Sequence, residues 1–154
     1  MDTWRPASKI VVKALGLHWR DDRLLAFEVC NSDGRVKGVR PLGGGVRFRE
    51  SAKDAVLREF KEELGVEVVI LGTPVVMENI YIHDGVDGHE VLFMFDVAFP
   101  IGAFEGQERI VYHEDNGTPC VARWYDINKL DLDGGIELYP KGLKPFLVTR
   151  HATH

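Results

Sequence analysis

Cysteine is scarce in this sequence, with only two among 154 residues. Cys30 and Cys120 lie far apart and outside any CxxC spacing, which excludes a disulfide framework and a cysteine-based zinc site. We interpret both as reduced thiols that pack as small apolar residues. Such cysteine usage is typical of a reducing compartment, and we therefore expect a cytoplasmic protein.

Long apolar runs are also missing. The most apolar stretch, residues 91–104, is interrupted by Asp96, Pro100 and Gly102. Residues 1–10 lack the apolar segment of a secretory signal. We therefore expect neither a membrane span nor a membrane partner.

No run of five like charges occurs anywhere in the chain. Lysine and arginine number 19 against 24 aspartates and glutamates, which gives a formal net charge of −5. This balance argues against a protein that binds DNA or RNA duplexes through a basic surface. A small phosphorylated ligand fits the charge balance if cations mediate its binding.

Internal repeats, low-complexity tracts and Pro/Ser-rich linkers are absent as well, so we predict one domain over residues 1–154. A chain of this length buries roughly 70% of the surface that its unfolded form exposes, enough to fold without a metal ion. A bound metal ion would therefore be functional and not structural.

Several segments have the length and composition of β-strands. Lys9–Leu17 and Arg23–Cys30 come first, and the turn residues Asn31–Gly34 lead into Val36 as a hairpin, so the chain is expected to open with an antiparallel pair. The later predicted strands are Val66–Ile70, Val75–Ile82, Val91–Phe99 and Cys120–Tyr125. The polar segment 106–117 is predicted to be a long surface loop.

Two helices are predicted. Ser51–Leu64 has Ser51 as N-cap, Asp54 in the first turn and Gly65 just past the end. The second lies near Gly142–Thr149, where Pro145 leaves the first helical residue open. The apolar run 91–95 does not alternate, so its strand should be covered on both faces, which predicts an α/β fold with helices on both sides of a sheet.

The first helix carries the most informative side chains. Glu59, Glu62 and Glu63 fall within an arc of about 100° on one helix face. Ala52 and Ala55 share that arc, and we expect their small side chains to leave a hollow beside the acids. Converging carboxylates repel one another and suit a hard cation such as Mg²⁺ or Mn²⁺. The alternative is a solvated charged face on which Arg58 pairs with Glu62.

The spacing of glycines and acids is specific. It runs Gly44, five residues, Glu50, seven residues, Arg58, Glu59, apolar Phe60, Lys61, Glu62, Glu63, Leu64, Gly65 and apolar Val66. This pattern resembles the Nudix box, G-x5-E-x7-R-E-U-x-E-E-x-G-U with U apolar, at every fixed position. The resemblance implies an α/β/α sandwich with a mixed β-sheet between helices.

The resemblance also implies an activity, which is hydrolysis of the pyrophosphate linkage of a nucleoside diphosphate joined to another group, by water attack on phosphorus. By position in the motif, Glu59, Glu62 and Glu63 match the catalytic and metal-binding acids, and the carbonyl of Gly43 matches a further ligand for Mg²⁺ or Mn²⁺. Glu50 and Arg58 match the pair that supports the loop against the helix.

Many Nudix enzymes take one further acid from outside the box. Glu114 and Asp115 are the first candidates here, followed by Glu105 and Glu108. For substrate binding we single out Arg40, Arg23 and Gly44. The residues that could stack on a base are Trp4, Trp19, Tyr81 and Tyr112, whereas His83, His89 and His113 are expected at the surface.

Two positions depart from the family pattern, because Leu42 and Arg49 stand where Pro and Gly are common. Neither removes a metal ligand. A rival reading is a non-catalytic, nucleotide-binding Nudix-fold sensor or regulatory module. A related isomerase depends on a cysteine in a context that Cys30 lacks. The substrate stays open among ADP-ribose, a nucleoside triphosphate, a nucleotide sugar and similar compounds, and a homodimer is also open.

Overall fold

Strands dominate the computed structural model, which describes residues 4–114 and 116–151. In chain order its strands and helices are β1 Ile10–Leu17, β2 Trp19–Arg20, β3 Arg23–Cys30, β4 Val36–Arg40, β5 Leu42–Gly45, α1 Ala52–Leu64, β6 Val69–His83, β7 Val86–Ala98, β8 Arg109–His113, β9 Pro119–Asp126, β10 Glu137–Leu138 and α2 Leu143–His151. A 3-10 turn, Ile127–Lys129, follows β9.

The strands form two mixed sheets. The first has the order β5-β1-β7-β6, with β1 antiparallel to β5 and parallel to β7. The second has the order β10-β4-β3-β9-β8, and β2 pairs with β3. Its β10–β4 pair is parallel and its other pairs are antiparallel. The mixed character that we predicted is present, but the strands are divided between two sheets.

The two helices cover opposite faces. Ala14 and Leu15 are neighbours in β1, so their side chains point to opposite sides of the first sheet. Ala14 packs in a core cluster with Phe60 of α1, whereas Leu15 packs in a second cluster with Leu147 of α2. The predicted α/β class, with helices on both sides, is therefore confirmed.

Local signals place the helices where the sequence predicts them. The Ser51 side chain accepts a hydrogen bond from the Asp54 N–H at 3.0 Å, and Gly65 takes the left-handed conformation with φ of 70°. Pro145 lies in the first turn of α2, where a missing N–H costs no helical hydrogen bond. The described helices are too short or too polar to cross a bilayer.

The strand predictions succeed in part. The hairpin after Cys30 is confirmed, since β3 and β4 pair antiparallel. The separation of Val66–Ile70 from Val75–Ile82 is wrong, because Val69 and Ile70 lie in the same strand β6 as Val75–Ile82, with an irregularity between Leu71 and Val75, while residues 66–68 precede the strand. As an edge strand, β6 tolerates Pro74, which cannot donate a ladder hydrogen bond.

The predicted loop 106–117 contains a strand. In β8, buried Ile110 and Tyr112 alternate with exposed Arg109, Val111 and His113. This period of two is the pattern of a half-buried edge strand, and its polar half disguised it as a loop. The correction matters because β8 and β9 form a hairpin whose connection carries Glu114.

Candidate active site

The glycine loop is built as an edge strand. Gly43 and Gly44 of β5 pair with Leu15 and Ala14 of β1. At Gly43 the backbone has φ of 151°, and a Cβ atom there would collide with the Ala14 carbonyl. Only glycine fits this close approach of two strands.

Gly44 makes room for an acid. A Cβ atom at Gly44 would lie 2.5 Å from the carboxylate carbon of Glu59, whose side chain is buried. The missing side chain therefore lets the Glu59 carboxylate lie directly against the loop backbone. The expectation that Ala55 opens a hollow is wrong, because Ala55 is fully buried in the core beneath α1. The open space is provided by Gly44.

Arg58 ties the loop to the helix. Its Nε and Nη2 atoms donate to the two carboxylate oxygens of Glu50 at 2.7 and 2.9 Å, and Nη2 also donates to the Gly45 carbonyl at 3.0 Å. This hydrogen-bonded pair lowers the pKa of Glu50 to about 2 and raises the pKa of Arg58. Glu50 and Arg58 are therefore in direct contact, as the support role requires.

The same guanidinium reaches two of the predicted metal ligands. Its Nη1 atom donates to Glu59 at 2.9 Å and to Glu62 at 3.3 Å, and Arg47 approaches Glu62 at 3.7 Å. Within residues 4–114 and 116–151, no group of three or more His, Cys, Asp or Glu side chains is arranged to hold a metal ion. Arg58 thus neutralises part of the acid cluster itself.

Glu63 of α1 and Glu114 of the β8–β9 connection influence the same two side chains. Burial raises the pKa of Tyr112, and the carboxylates of Glu63 and Glu114 raise it further. Burial likewise raises the pKa of Cys120 to about 12, again with contributions from Glu114 and Glu63. Both carboxylates therefore act on the same two side chains of the β8–β9 hairpin. Asp115 lies outside the described residues.

The other candidate acids lie elsewhere. Glu108 pairs with Arg23 at 3.8 Å, and residues 104–107 are held by Arg20, which donates to the carbonyls of Phe104 and Gln107. Arg23 pairs across the sheet with Asp126, six residues along β9 from Cys120, or about 20 Å. The structure therefore does not bring Arg23, Glu105 or Glu108 to the acid cluster, and substrate binding by Arg23 stays a prediction.

Arg40 borders a second polar feature that the sequence did not reveal. Its Nη2 atom lies 3.5 Å from Oε1 of Glu90, a carboxylate only 1% exposed. Glu90 lines a 380 Å³ cavity together with Trp4 and Tyr81, and His83, expected at the surface, is buried there. The available signal was an ionisable residue directly before the apolar run 91–95 of β7, because such residues often mark functional sites.

Of the other two aromatic candidates, Trp19 lines a separate cavity of 680 Å³ with Leu17 and Leu147. Tyr112 is buried beneath the Glu63 and Glu114 carboxylates. Among the four, only Trp4 and Tyr81 share the cavity that contains Arg40.

Comparison with known proteins decides the family. A family model described as NUDIX domain matches residues 14–145. The chain belongs to the Nudix family. A comparison with curated protein sequences found no match.

Solved structures show how the Nudix fold is shared. A NUDIX hydrolase from Nitrosomonas europaea is 17% identical with a TM-score of 0.59, and the match covers 94% of this chain and 90% of that one. The MutT protein from Methanosarcina mazei Go1 is 17% identical, with a TM-score of 0.54 and coverage of 99% and 98%. An ADP-ribose pyrophosphatase from Streptococcus suis 89-1591 is 17% identical, with a TM-score of 0.51 and coverage of 94% and 92%. These likenesses show the fold.

Nudix hydrolases generally use a divalent metal ion. The acids on α1 suit such an ion, because all their donors are oxygen atoms, and the missing side chain at Gly44 lets the Glu59 carboxylate lie against the loop backbone. This Nudix chain therefore has a donor set that fits a hard cation, with Arg58 as a competing internal cation.

Proposed function

We propose that the protein is a pyrophosphohydrolase, which hydrolyses the pyrophosphate linkage of a nucleoside diphosphate-X substrate by water attack on phosphorus. The observation that carries the proposal is the complete acid set on α1, with Glu59 against Gly44 and with Glu63 and Glu114 both acting on Tyr112 and Cys120. A binding module has no need of acids in this number around one glycine loop.

Glu59, Glu62, Glu63 and the Gly43 carbonyl would hold Mg²⁺ or Mn²⁺. The bound ion supplies neutralisation of phosphate charge and a lowered pKa of coordinated water. Arg58 holds the Glu59 carboxylate in place through its 2.9 Å hydrogen bond. We assign to Glu63 and Glu114 the orientation and deprotonation of the attacking water.

The substrate is proposed at the level of class. ADP-ribose, a nucleoside triphosphate and a nucleotide sugar all carry the required linkage. The name of the Streptococcus suis relative supports testing ADP-ribose first. We further propose that the chain is a single domain and acts in the cytoplasm. We also propose that it forms a homodimer, and size-exclusion chromatography with light scattering tests this oligomeric state directly.

The proposal is tested by phosphate and pyrophosphate release over a panel of these substrates, with Mg²⁺, with Mn²⁺ and with chelator. Turnover should need the divalent ion, and Glu63→Gln should lower kcat by roughly a hundredfold or more with little change in Tm. Glu67→Gln is the matched control, since Glu67 is exposed just past α1 and pairs only with Lys61 at 3.3 Å among the described contacts.

One observation favours the rival function of a non-catalytic nucleotide sensor. Arg58 already pairs with Glu59 and Glu62, the arrangement that a protein without a metal ion would keep. A sensor would bind nucleotides from the panel without turning any of them over, and Glu63→Gln would leave that binding unchanged. Turnover of any panel member in the presence of Mg²⁺ excludes this reading.

A further inference from the structure

The 380 Å³ cavity around Glu90 lies on the face of the first sheet opposite α1. It is lined by residues of β3, β4, β6, β7 and β10, by the segment that follows β10 and by Trp4. We call it the Glu90 cavity. The lining residues that matter below are Lys37, Arg40, Asn79, Glu90, Glu137 and Lys141.

A buried charge network forms the floor of the Glu90 cavity. Oε1 of Glu90 accepts hydrogen bonds from Asn79 at 3.0 Å and from Arg40 at 3.5 Å. Lys13 Nζ lies 3.1 Å from Oε2, at ion-pair distance. No donor in the described part of the chain is aligned to hydrogen-bond Oε2. Two cations thus converge on one carboxylate.

Positive charge is in excess around the Glu90 cavity. Lys37 and Lys141 line it in addition to Arg40, and the other lining carboxylate, Glu137, is hydrogen-bonded to Tyr139. Burial lowers the pKa of Lys13, and the neighbouring Arg40 lowers it further. The cations are therefore crowded, in a chain whose formal net charge is −5. An anion bound in the cavity would relieve this repulsion.

The Glu90 cavity and the acid cluster lie on opposite faces of the first sheet, whose edge at this end is the glycine strand β5. Lys13 pairs in the β1–β5 register with Gly45, whose carbonyl accepts from Arg58. Glu114 lies close enough to Lys13 to raise its pKa. Arg40 ends β4, directly before Pro41 and the glycine strand β5. A substrate that is attacked at the acids would have to pass around the edge strand β5 to reach the cavity.

We propose that Lys13 and Arg40, with Glu90 as their buried counter-ion, form a subsite for a phosphate-bearing part of the substrate. The inference rests on the proposed function for the source of that phosphate. Addition of water across the pyrophosphate linkage of ADP-ribose releases two phosphate monoesters, AMP and ribose 5-phosphate, whereas a nucleoside triphosphate releases a nucleoside monophosphate and pyrophosphate. Arginine and lysine together suit a phosphate, because the guanidinium binds two oxygens and the ammonium adds a point charge.

The experiment is calorimetric titration of the whole protein in the presence of EDTA, which removes any metal contribution. The probes are AMP and ribose 5-phosphate for the two ends of ADP-ribose, and adenosine and ribose as their phosphate-free counterparts. At least one monoester should bind about tenfold or more tightly than its counterpart, and Arg40→Gln should abolish that difference. Arg35→Gln is the matched control, because Arg35 is 87% exposed in the β3–β4 turn.

Equal affinity of AMP and adenosine, together with equal affinity of ribose 5-phosphate and ribose, would overturn the subsite. Adenosine binding that Arg40→Gln leaves intact would assign the cavity to base recognition. If circular dichroism shows that Arg40→Gln does not fold, Lys13→Gln takes its place. The comparison of each monoester with its phosphate-free counterpart on the wild-type protein needs no variant and tests the subsite by itself. Phosphate binding without any hydrolysis would reject the proposed function alone, and hydrolysis without phosphate discrimination would reject the subsite alone.

Discussion

Arg58 is the residue on which most of the site geometry converges. Its five hydrogen bonds reach Glu50 twice, Gly45, Glu59 and Glu62, so each of its five N–H groups has a partner. The planar guanidinium can bind all these oxygen atoms at once because its five N–H donors have fixed directions. A lysine ammonium at the same position has three donors and no fixed plane.

Arg58→Lys keeps the charge but should lower kcat by roughly 10- to 100-fold, because Glu59 loses the partner that fixes its carboxylate. The effect is measured by steady-state kinetics on a substrate from the panel that the wild-type protein hydrolyses. Arg35→Lys provides the control at an exposed arginine. An unchanged kcat in Arg58→Lys would show that charge, and not fork geometry, is what the site needs.

Glu50 gives the pair a pH signature. Its pKa in the folded protein is about 2, against an ordinary value of 4.5, because of the hydrogen bonds from Arg58. The unfolded chain therefore takes up the proton first as the pH falls, and stability is lost between about pH 4.5 and 2. Thermal melts over this range should show a shallower loss for Glu50→Gln than for the wild type. Glu67→Gln, which removes an exposed carboxylate, should keep the wild-type slope.

At the scale of elements, the ion pair between Glu50 and Arg58 ties the loop that follows β5 to α1. A direct Glu50–Arg58 pair predicts coupling in a double-mutant cycle, since removing either partner leaves the other charge uncompensated. Glu50→Ala and Arg58→Ala should each lower Tm by several degrees and reduce activity. The double variant should lose clearly less Tm than the two single losses added together. Strictly additive losses would mean that the pair does not hold the loop.

Elements whose signals are local could be predicted from the sequence. The helix α1 has its N-cap at Ser51 and its left-handed end at Gly65, both readable from residue type. The strand β8 was missed, because whether Ile110 and Tyr112 are buried depends on what packs over them. The junction inside β6 was missed because its pairing with the distant β7 continues across Gly72 and Pro74.

The same division holds for the site. Acids of the box follow from spacing along one helix, whereas Lys13, Arg40 and Glu90 come from three different strands and meet only in the folded sheet. The spacing of these three residues along the sequence does not show that they are in contact in the folded protein. A local hint was the charge of Glu90 directly before the apolar run 91–95.

For the whole molecule, the fold should not depend on the metal ion. Arg58 already neutralises two of the acids, and the core clusters on both sheet faces are independent of the site. Treatment with EDTA should therefore abolish hydrolysis while shifting Tm by no more than about 3 °C, and added Mg²⁺ should restore activity. Differential scanning fluorimetry and a rate assay on the same samples measure both quantities. Unfolding on chelation would instead make the ion structural.

The parallel pairing of β1 with β7 constrains how the protein is made. Ile10 pairs with His89, so the first strand leaves the ribosome long before its partner exists. Within the described chain, the glycine strand β5 pairs only with β1. Until β7 has been synthesised, β1 and β5 therefore lack the rest of their sheet. Nascent chains that stop before β7 should carry the whole acidic motif and yet present no assembled site, so competence arrives late in translation and all at once.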